Sequence, residues 1–449
     1  MRHSVKTAIT AAGISLVLAA CGSSGQTTSV ARSAPTDPPT GSPGGAPPGG
    51  STSSYSATGA YTRSGGSATL TGKLIIAGGS DASGVLVDNG GRLALVRTRV
   101  QTTGSSKSSD ASSFYGLDAG VLAQRAGAIQ IIGGSVSTHG DGANGVFAYG
   151  SGPRVTIART TITAAGQYAH GAMASGGGSL KLTGVKISTA GASSAAIATD
   201  RGGGTIEVIG GTMNTSGFRS PGIYSTGEIT VRGASMTATG AEAAVVEGAN
   251  SITVTNTKLT AAKQHGVMLY NSMSGDASAG TGSYTMHGGS LNAAAGPAFY
   301  VTNTRAVIML ADEATVSARS GVLLRADSAG TGSGNTGAGI ATLRLRGERV
   351  RGNLTTAGSG TIAAALQRHT TLTATINTAA VSIDSTSIWN VTGDSALTTL
   401  SDALTPSAGR IGNIVGNGHT VTYDASLAAN SWLHGKTYKL TGGGVLKPA

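Results

Sequence analysis

Short runs of alternating apolar and polar residues follow one another along most of the chain. Ala128–Ile132 (AIQII) and Ser251–Thr255 (SITVT) each carry apolar side chains at every second position. Gly-rich turns separate the runs, and helical spacing is not sustained. Period-two alternation is typical of a strand with one buried and one exposed face. The pattern therefore predicts a chain of short β-strands.

The strands belong to a repeat. A Gly or Ala followed by an apolar residue recurs, mostly at intervals of 22–27 residues, and each interval holds three short strands and three turns. We take this pair as the anchor of each unit. The anchors are Gly84-Val85, Gly120-Val121, Gly145-Val146, Gly171-Ala172, Ala195-Ala196, Gly222-Ile223, Ala244-Val245, Gly266-Val267, Ala298-Phe299 and Gly321-Val322.

A unit of this length fits one turn, or rung, of a parallel β-helix. A propeller blade needs about 40 residues, and a sandwich has no fixed repeat. The interior would consist of small side chains, since the chain has 72 glycines, only four Phe and two Trp. The predicted fold class is all-β: a single-stranded right-handed parallel β-helix over residues 65–400, with three short strands and about 22–27 residues per rung.

The first 20 residues have the features of an export signal. Arg2 and Lys6 precede an apolar stretch over residues 8–20, which is too short to span a bilayer as a helix. The sequence LAAC ending at Cys21, the only cysteine, resembles the lipobox of bacterial lipoproteins. The resemblance implies that Cys21 is lipidated and anchors the chain to a membrane.

Residues 21–64 are predicted to form a tether, because their Ser, Gly, Thr and Pro cannot bury enough apolar surface to fold. Position 22 is Gly and not Asp, so the inner-membrane retention signal of some lipoproteins is absent. The expected location is therefore the outer membrane or the cell surface.

The repeat region resembles pectin-lyase-like right-handed β-helices, and its end resembles autotransporter passenger domains of the pertactin kind. Passenger domains often carry a Trp followed by Gly-Asp-Ser, as Trp389 and Gly393-Asp394-Ser395 do here. The resemblance implies that Trp389 helps to close the stack, with residues 401–449 as a C-terminal β cap. Gly393-Asp394-Ser395 is not taken as a hydrolase motif. Unlike in an autotransporter, we expect no membrane barrel after this motif, and the lipid on Cys21 would replace it as the membrane attachment.

The formal charge of +11 favours anionic partners such as acidic glycans or bacterial and host surfaces. No Lys/Arg block with interleaved aromatic residues is present, so we expect no nucleic-acid binding. One cysteine excludes an internal disulfide and a cysteine-based metal site. No cofactor or metal is expected.

Three units carry Gly/Ser-rich insertions, over residues 103–113, 271–283 and 326–339. The last two follow the anchor strand of their units, so they are expected to project about 10 Å apart on one side. Insertions on one face of a repeat fold mark either a binding face or tolerated surface decoration.

The turns that precede the anchors carry the other candidate residues. These turns are equivalent, so their side chains are expected to form a rough column along one edge, as a weak ligand-contact edge or as solvated turn residues. The column consists of His139, Asp141, Tyr168, His170, Arg219, Glu242, Lys263, His265 and Arg319.

Carbohydrate-active β-helices need clustered acids, either as general acid and base or as calcium ligands. The sequence indicates no such cluster, and it predicts no catalytic residue. The expected function is that of an envelope lipoprotein displaying a non-catalytic β-helix for adhesion or glycan binding. The alternatives are a polysaccharide lyase, hydrolase or epimerase, and a purely structural envelope protein.

Overall fold

A computed structural model describes residues 55–272, 274–329 and 337–449, and it is a right-handed parallel β-solenoid of about 15 turns. Strand accounts for 56% of these described residues and helix for 3%. The predicted fold class is therefore confirmed. The signal segment, Cys21 and most of the predicted tether lie outside the described residues.

Each rung contributes strands to three parallel ladders. Ladder 1 contains the anchor strands, which pair residue by residue, as Val121 does with Val146 and Val146 with Ala172. Its strands are β1 Thr58–Ser64, β4 Ala82–Asp88, β7 Val121–Gln124, β10 Val146–Tyr149, β13 Ala172–Ser175, β15 Ile197–Thr199, β17 Ile223–Ser225, β20 Ala244–Glu247, β23 Val267–Tyr270, β26 Phe299–Thr302, β29 Val322–Asp327, β32 Asn353–Thr356, the first halves of β35 Ile376–Ile383 and β37 Ser395–Asp402, β39 Thr420–Tyr423 and β41 Val445–Pro448.

Ladder 2 follows the first Gly-rich turn of each rung. Its inward positions stack apolar side chains in columns, because alternation directs every second side chain to the interior. One buried column runs Ile129, Val155, Leu180, Ile206, Ile229, Ile252. The strands are β2 Ser67–Thr71, β5 Arg92–Val96, β8 Ala128–Ile132, β11 Arg154–Ala158, the first halves of β14 Gly178–Thr189 and β16 Gly204–Thr215, β18 Glu228–Arg232, β21 Ser251–Thr255, β24 Thr281–His287, β27 Thr304–Ala311, β30 Gly339–Arg346, β33 Thr361–Gln367 and the second halves of β35 and β37.

Ladder 3 closes each rung before the turn that leads to the next anchor. In β14 and β16 it continues ladder 2 without a break in the strand. Its strands are β3 Leu74–Ala77, β6 Arg99–Thr102, β9 Ser135–Thr138, β12 Thr161–Ala164, the second halves of β14 and β16, β19 Ser235–Ala238, β22 Lys258–Ala261, β25 Ser290–Ala293, β28 Thr315–Ala318, β31 Arg349–Arg351, β34 Thr371–Ala374, β36 Ile388–Val391, β38 Arg410–Val415 and β40 Tyr438–Thr441.

Three predicted anchors are out of register. The residue paired in ladder 1 is Ile197 and not Ala196, Ala244 and not Val245, and Leu324 and not Val322. In each place several small or apolar residues follow one another, so the sequence alone does not single out the residue that enters the interior. The other seven anchors pair as predicted.

Both ends of the stack differ from the predicted boundaries. Strand β1 begins at Thr58, inside the segment assigned to the tether, and pairs with β4. Parallel pairing also continues beyond residue 400, through β39 to β41. Thr, Gly and Ser are common both in the tether and in the strands, so composition does not mark the point where pairing starts.

Trp389 lies inside the stack and not at its end. Its side chain is fully buried, its indole N–H donates to the Ala374 carbonyl, and β38 pairs with its strand from above. The end of ladder 2 is covered instead by a 3-10 helix, η1 Ala428–Leu433. From η1, Asn430 Oδ1 accepts from the Leu400 amide and the Trp432 indole donates to the Leu400 carbonyl. Within the described ranges, no helix has the length and apolar character needed to cross a membrane.

Candidate functional site

A cleft of about 560 Å³ lies over the outer face of ladder 1. Four side chains form its floor: Tyr224, Val245, Met268 and Tyr300. They belong to consecutive strands and pair directly with one another. Neighbouring strands are about 4.8 Å apart, so the floor presents one apolar or aromatic group at each such step.

The four floor side chains continue a line of outward-facing side chains on ladder 1, which we call the outer row. In the earlier rungs this row is covered, and it consists of Leu86, Leu122, Phe147, Met173 and Ala198, all buried. Helix α1, Ser109–Tyr115, covers this part of the row. It begins inside the first predicted insertion (residues 103–113) and ends two residues beyond it, so this insertion is more ordered than a surface decoration. The cleft is therefore the part of the row that this insertion leaves uncovered.

Helix α1 has a cap at each end. The Ser108 hydroxyl accepts from the Ala111 amide, and Gly116 ends the helix in the left-handed conformation (φ 72°). A Cβ at Gly116 would stand 2.6 Å from Phe147 Cγ. Glycine thus gives the helix a turn that other residues rarely adopt and lets the backbone lie against the row.

Arg201 joins helix α1 to the second insertion. Its guanidinium lies 4.2 Å from the centroid of the Phe114 ring and donates twice to Asp276 Oδ1, from Nε at 2.9 Å and from a terminal nitrogen at 2.5 Å. The Arg201 and Asp276 side chains are only 7% and 10% exposed. The end of helix α1 and the insertion over 271–283 therefore meet at one side of the cleft.

Three acids converge at this junction, contrary to the prediction that the chain has no acid cluster. Asp200, Glu247 and Asp276 interact electrostatically, and Asp200 and Asp276 line the cleft. Burial raises the pKa of Asp200 well above its usual range, and the charge of Asp276 adds to the rise. The three acids come from three rungs, so no short spacing in the sequence predicts that they meet. The register relates two of them, because Asp200 and Glu247 each come three residues after the residue that is paired in ladder 1, Ile197 and Ala244 respectively.

Glu247 is almost fully buried and is surrounded by donors. Its carboxylate accepts from the hydroxyls of Tyr224, Tyr270 and Ser272 and from the Ser272 amide. Burial raises the pKa of Glu247, and the bonds from Ser272 and Tyr224 oppose that rise. Asp276 is similarly engaged, since its second oxygen accepts from the Ser274 hydroxyl at 2.9 Å. These two carboxylates hold the second insertion on the stack.

The predicted ligand-contact edge is only partly brought together. His170, Arg219, Glu242 and His265 line the cleft, whereas five other candidates do not: His139, Asp141, Tyr168, Lys263 and Arg319. Of these, Asp141 serves the turn itself, since its Oδ1 accepts from the Gln167 amide. The turn positions are equivalent, but only those beside the uncovered part of the row reach the cleft.

Both cleft histidines are held in the neutral form. Burial lowers the pKa of His170 to about 4, and its Nδ1 accepts from the Ala195 amide at 2.9 Å. Burial also lowers the pKa of His265 to about 4, and its ring stacks on Tyr300 with centroids 4.3 Å apart. Burial raises the pKa of Glu242 as well, against the nearby charge of Arg219. At neutral pH neither histidine therefore adds positive charge to the cleft.

The second and third insertions lie side by side, as predicted. Asn303 connects them, because its side-chain amide donates to the Asn271 carbonyl and its backbone amide donates to the Gly337 carbonyl. Residues 330–336 of the third insertion lie outside the described part of the chain.

Gly393-Asp394-Ser395 has a structural role. Ser395 Oγ accepts from the Ile376 amide and donates to the Gly393 carbonyl, and Asp394 Oδ1 accepts from the Thr420 amide. These bonds tie neighbouring rungs together. No His, Cys, Asp and Glu side chains come together in threes as metal ligands within residues 55–272, 274–329 and 337–449.

No family model matches the chain, and no curated protein matches it. The fold and the cleft therefore carry the functional argument by themselves.

Proposed function

We propose that the protein is an exported, lipid-anchored β-helix whose cleft binds a glycan chain without cleaving it. The observation that carries the proposal is the floor of the cleft, where Tyr224, Val245, Met268 and Tyr300 follow one another on consecutive rungs. A row of apolar and aromatic groups at regular steps suits a polymer of similar repeat, and a sugar ring offers an apolar face to an aromatic side chain.

The rim of the cleft supports the same class of ligand. Phe218 is 67% exposed at the rim, although large aromatic side chains are usually covered. Asp200, Glu242 and Arg219 supply acceptors and donors around it. A concave site with an apolar floor and a few polar groups is the usual form of a small-molecule or oligosaccharide site.

The state of the acids favours binding over cleavage. Glycoside hydrolysis needs two carboxyl groups that reach the substrate. Glu247 is 1% exposed and accepts bonds from three side chains, and Asp276 is paired with Arg201. Of the three clustered acids, only Asp200 is left to act on a ligand.

A second candidate function is glycan cleavage, and one observation favours it. Asp200 and Glu242 both line the cleft, and burial raises the pKa of each. A carboxylic acid that stays protonated can donate a proton to a leaving group. The fold resembles pectin-lyase-like enzymes, but a fold does not define an activity.

Binding and cleavage are separated by a glycan array run beside a reducing-sugar release assay, with the full chain in detergent. The proposal predicts binding without release, and Asp200→Asn changes affinity only. Release by the wild type that Asp200→Asn abolishes would replace the proposal with the enzyme. If neither binding nor release occurs, both candidates fail and the purely structural alternative remains.

The anchor is a separate part of the proposal and rests on the lipobox-like LAAC sequence at Cys21. The basic residues and apolar stretch before it support export. Metabolic labelling with a radioactive fatty acid tests it: wild type should take up label, and Cys21→Ser should not and should leave the membrane fraction. Label retained by Cys21→Ser would refute the anchor and leave the cleft unaffected.

A further inference from the structure

The outer face of ladder 3 carries cations but no acids. Each strand of this ladder from β3 to β36 directs two side chains outward, at positions that alternate with the inward ones. In these described strands none of the outward side chains is Asp or Glu, and most are Ser, Thr, Asn or Gln. The charged ones are five exposed cations: Arg99, Lys186, Lys258, Arg349 and Arg351.

Three of these cations form a regular column. Strand pairing places Arg99, Lys186 and Lys258 in one outward column, each three rungs after the one before and about 14 Å from it. Ladder 2 differs, since Lys181 Nζ lies 2.9 Å from Glu207 Oε2 on the next rung. Such cross-strand pairs of opposite charge stabilise a sheet. The strands of ladder 3 from β3 to β36 offer no outward acid, so their cations remain available to an external anion.

Exposed aliphatic side chains lie towards both ends of the same face. Leu74 and Ile76 are the outward residues of β3, in the first rung, and Ile388 is an outward residue of β36, towards the other end. The three side chains are between 40% and 59% exposed. Leu74 pairs directly with Arg99, so the apolar pair adjoins the first cation of the column. An exposed apolar patch beside polar residues is typical of a protein or membrane contact site.

We propose that the outer face of ladder 3 lies on the anionic surface of a phospholipid membrane. Stacked parallel strands present an extended face along the stack, which suits a flat surface. In this contact Lys186 and Lys258 would meet lipid phosphates, and Leu74 and Ile76 would enter the headgroup layer. Basic and apolar side chains on one face are the combination that binds the interface of an anionic bilayer.

A membrane fits this face better than a soluble polyanion does. Nucleic acid carries a phosphate about every 3.4 Å along each strand, much more densely than cations about 14 Å apart. Single-stranded nucleic acid also stacks on aromatic side chains, and no outward position of ladder 3 from β3 to β36 is aromatic. An acidic polysaccharide would use the cations and hydroxyls but would leave Leu74, Ile76 and Ile388 without a role.

The proposal is independent of a glycan in the cleft and of a lipid on Cys21. The contact would be a second attachment beside an acyl anchor, and it would hold the stack along the membrane instead of at the end of its tether. The cleft lies over ladder 1, so a membrane on ladder 3 would not cover its floor.

Vesicle sedimentation tests the surface. A chain of residues 22–449 keeps every rung but lacks the acyl group and the apolar leader, so neither can hold it on vesicles. We expect it to bind vesicles of equal parts phosphatidylglycerol and phosphatidylcholine, and to bind pure phosphatidylcholine at least tenfold more weakly. Added salt should weaken the binding to the anionic vesicles.

Matched pairs of cations locate the contact. Lys186→Ser with Lys258→Ser should weaken binding to the anionic vesicles roughly tenfold. Arg92→Ser with Arg154→Ser removes two exposed cations from ladder 2 and should leave the affinity within about twofold of wild type. Equal losses from the two double variants, or no binding to anionic vesicles, would overturn the proposal.

The apolar end separates a membrane from a soluble polyanion. Leu74→Ser with Ile76→Ser should weaken binding to the anionic vesicles severalfold. Unchanged affinity would mean that the face binds anions by charge alone, and the membrane would then be the wrong partner.

A dye placed on either face gives a readout that does not depend on weakened variants. The chain of residues 22–449 has no cysteine, so Ser188→Cys on ladder 3 and Thr156→Cys on ladder 2 each introduce one exposed labelling site. Anionic vesicles should shift the emission of an environment-sensitive dye at position 188 and leave that at position 156 unchanged. Equal shifts at both positions, or a shift at position 156 alone, would contradict the proposal.

Discussion

Arg201 and Asp276 form a buried ion pair between residues 75 positions apart in the sequence. Arg201 follows an anchor strand, and Asp276 belongs to the second insertion. The pair fixes this insertion beside Phe114 of helix α1. Ligand-binding loops are usually among the least stable parts of a protein, and this pair counteracts that tendency.

Removal of Arg201 should therefore be costly. Arg201→Ala leaves the Asp276 carboxylate buried and unpaired, and we expect a loss of about 3–5 kcal/mol in the free energy of unfolding. Arg201→Lys should recover only part of it, because an ammonium group offers neither the planar fork nor the same stacking. Denaturant unfolding measures both. Arg319→Ala, an exposed control, should stay within about 0.5 kcal/mol of wild type. A similarly small effect of Arg201→Ala would show that the ion pair does not stabilise the second insertion.

Glu247 should be important for its shape and hydrogen bonds more than for its charge. Glu247→Ala leaves the hydroxyls of Tyr224, Tyr270 and Ser272 without their acceptor and opens a cavity. We expect destabilisation of about 3 kcal/mol or more. Glu247→Gln keeps one acceptor oxygen and should lose clearly less. If the two variants are equally unstable, the charge and not the hydrogen-bond network holds the insertion.

His170 predicts a pH dependence of stability. Its folded pKa of about 4 lies below the usual 6.5, so the unfolded chain binds more protons between these values. The neutral His170 therefore contributes fully to the free energy of unfolding above pH 6.5. This contribution is lost as the pH falls towards 4, and the free energy of unfolding decreases by about 2–3 kcal/mol.

His170→Asn isolates this contribution, because Asn144 occupies the equivalent position one rung earlier and its Oδ1 accepts from the His170 amide. We expect the variant to lose less stability than wild type between pH 6.5 and 4. The measurement is the difference between the two pH profiles of unfolding free energy. Parallel profiles would show that His170 is not held neutral.

Two glycines with the same φ of 72° provide a matched test of the first insertion. A Cβ at Gly409 would meet nothing within 4 Å, whereas one at Gly116 would meet the Phe147 ring. Gly409→Ala should therefore lower the free energy of unfolding by about 1–2 kcal/mol, because alanine disfavours the left-handed conformation. Gly116→Ala should lower it by roughly 1–3 kcal/mol more, because its methyl group would also clash with the Phe147 ring. Equal losses in thermal or denaturant unfolding would mean that the insertion does not press on the row.

The sequence predicts the fold well because the fold is periodic. Alternation and Gly-rich turns recur in every rung, so each unit supports the interpretation of the next, and seven of ten anchors pair as predicted. The register is less certain where Ala195, Ala196 and Ile197 follow one another, because small side chains fit the interior in more than one way.

The site is much harder to predict than the fold. Asp200, Glu247 and Asp276 lie on different rungs and meet only through the register and an insertion. Of the predicted turn column, His170, Arg219, Glu242 and His265 line the cleft. The same column also included Lys263 and Arg319, because the sequence does not reveal which part of the outer row an insertion leaves uncovered.

Glycan binding in the cleft is the central claim, and Phe218 offers its most direct test. Phe218 is exposed at the rim, so Phe218→Ala should leave stability unchanged. The control is Ile76→Ala, because Ile76 is similarly exposed (59% against 67%) but lies in β3, in the first rung of the stack. On a glycan array followed by titration calorimetry, we expect wild type and Ile76→Ala to bind the same glycan. Phe218→Ala should bind it about tenfold more weakly, a loss of about 1.4 kcal/mol. Equal affinity of all three proteins, or no bound glycan at all, would contradict the claim.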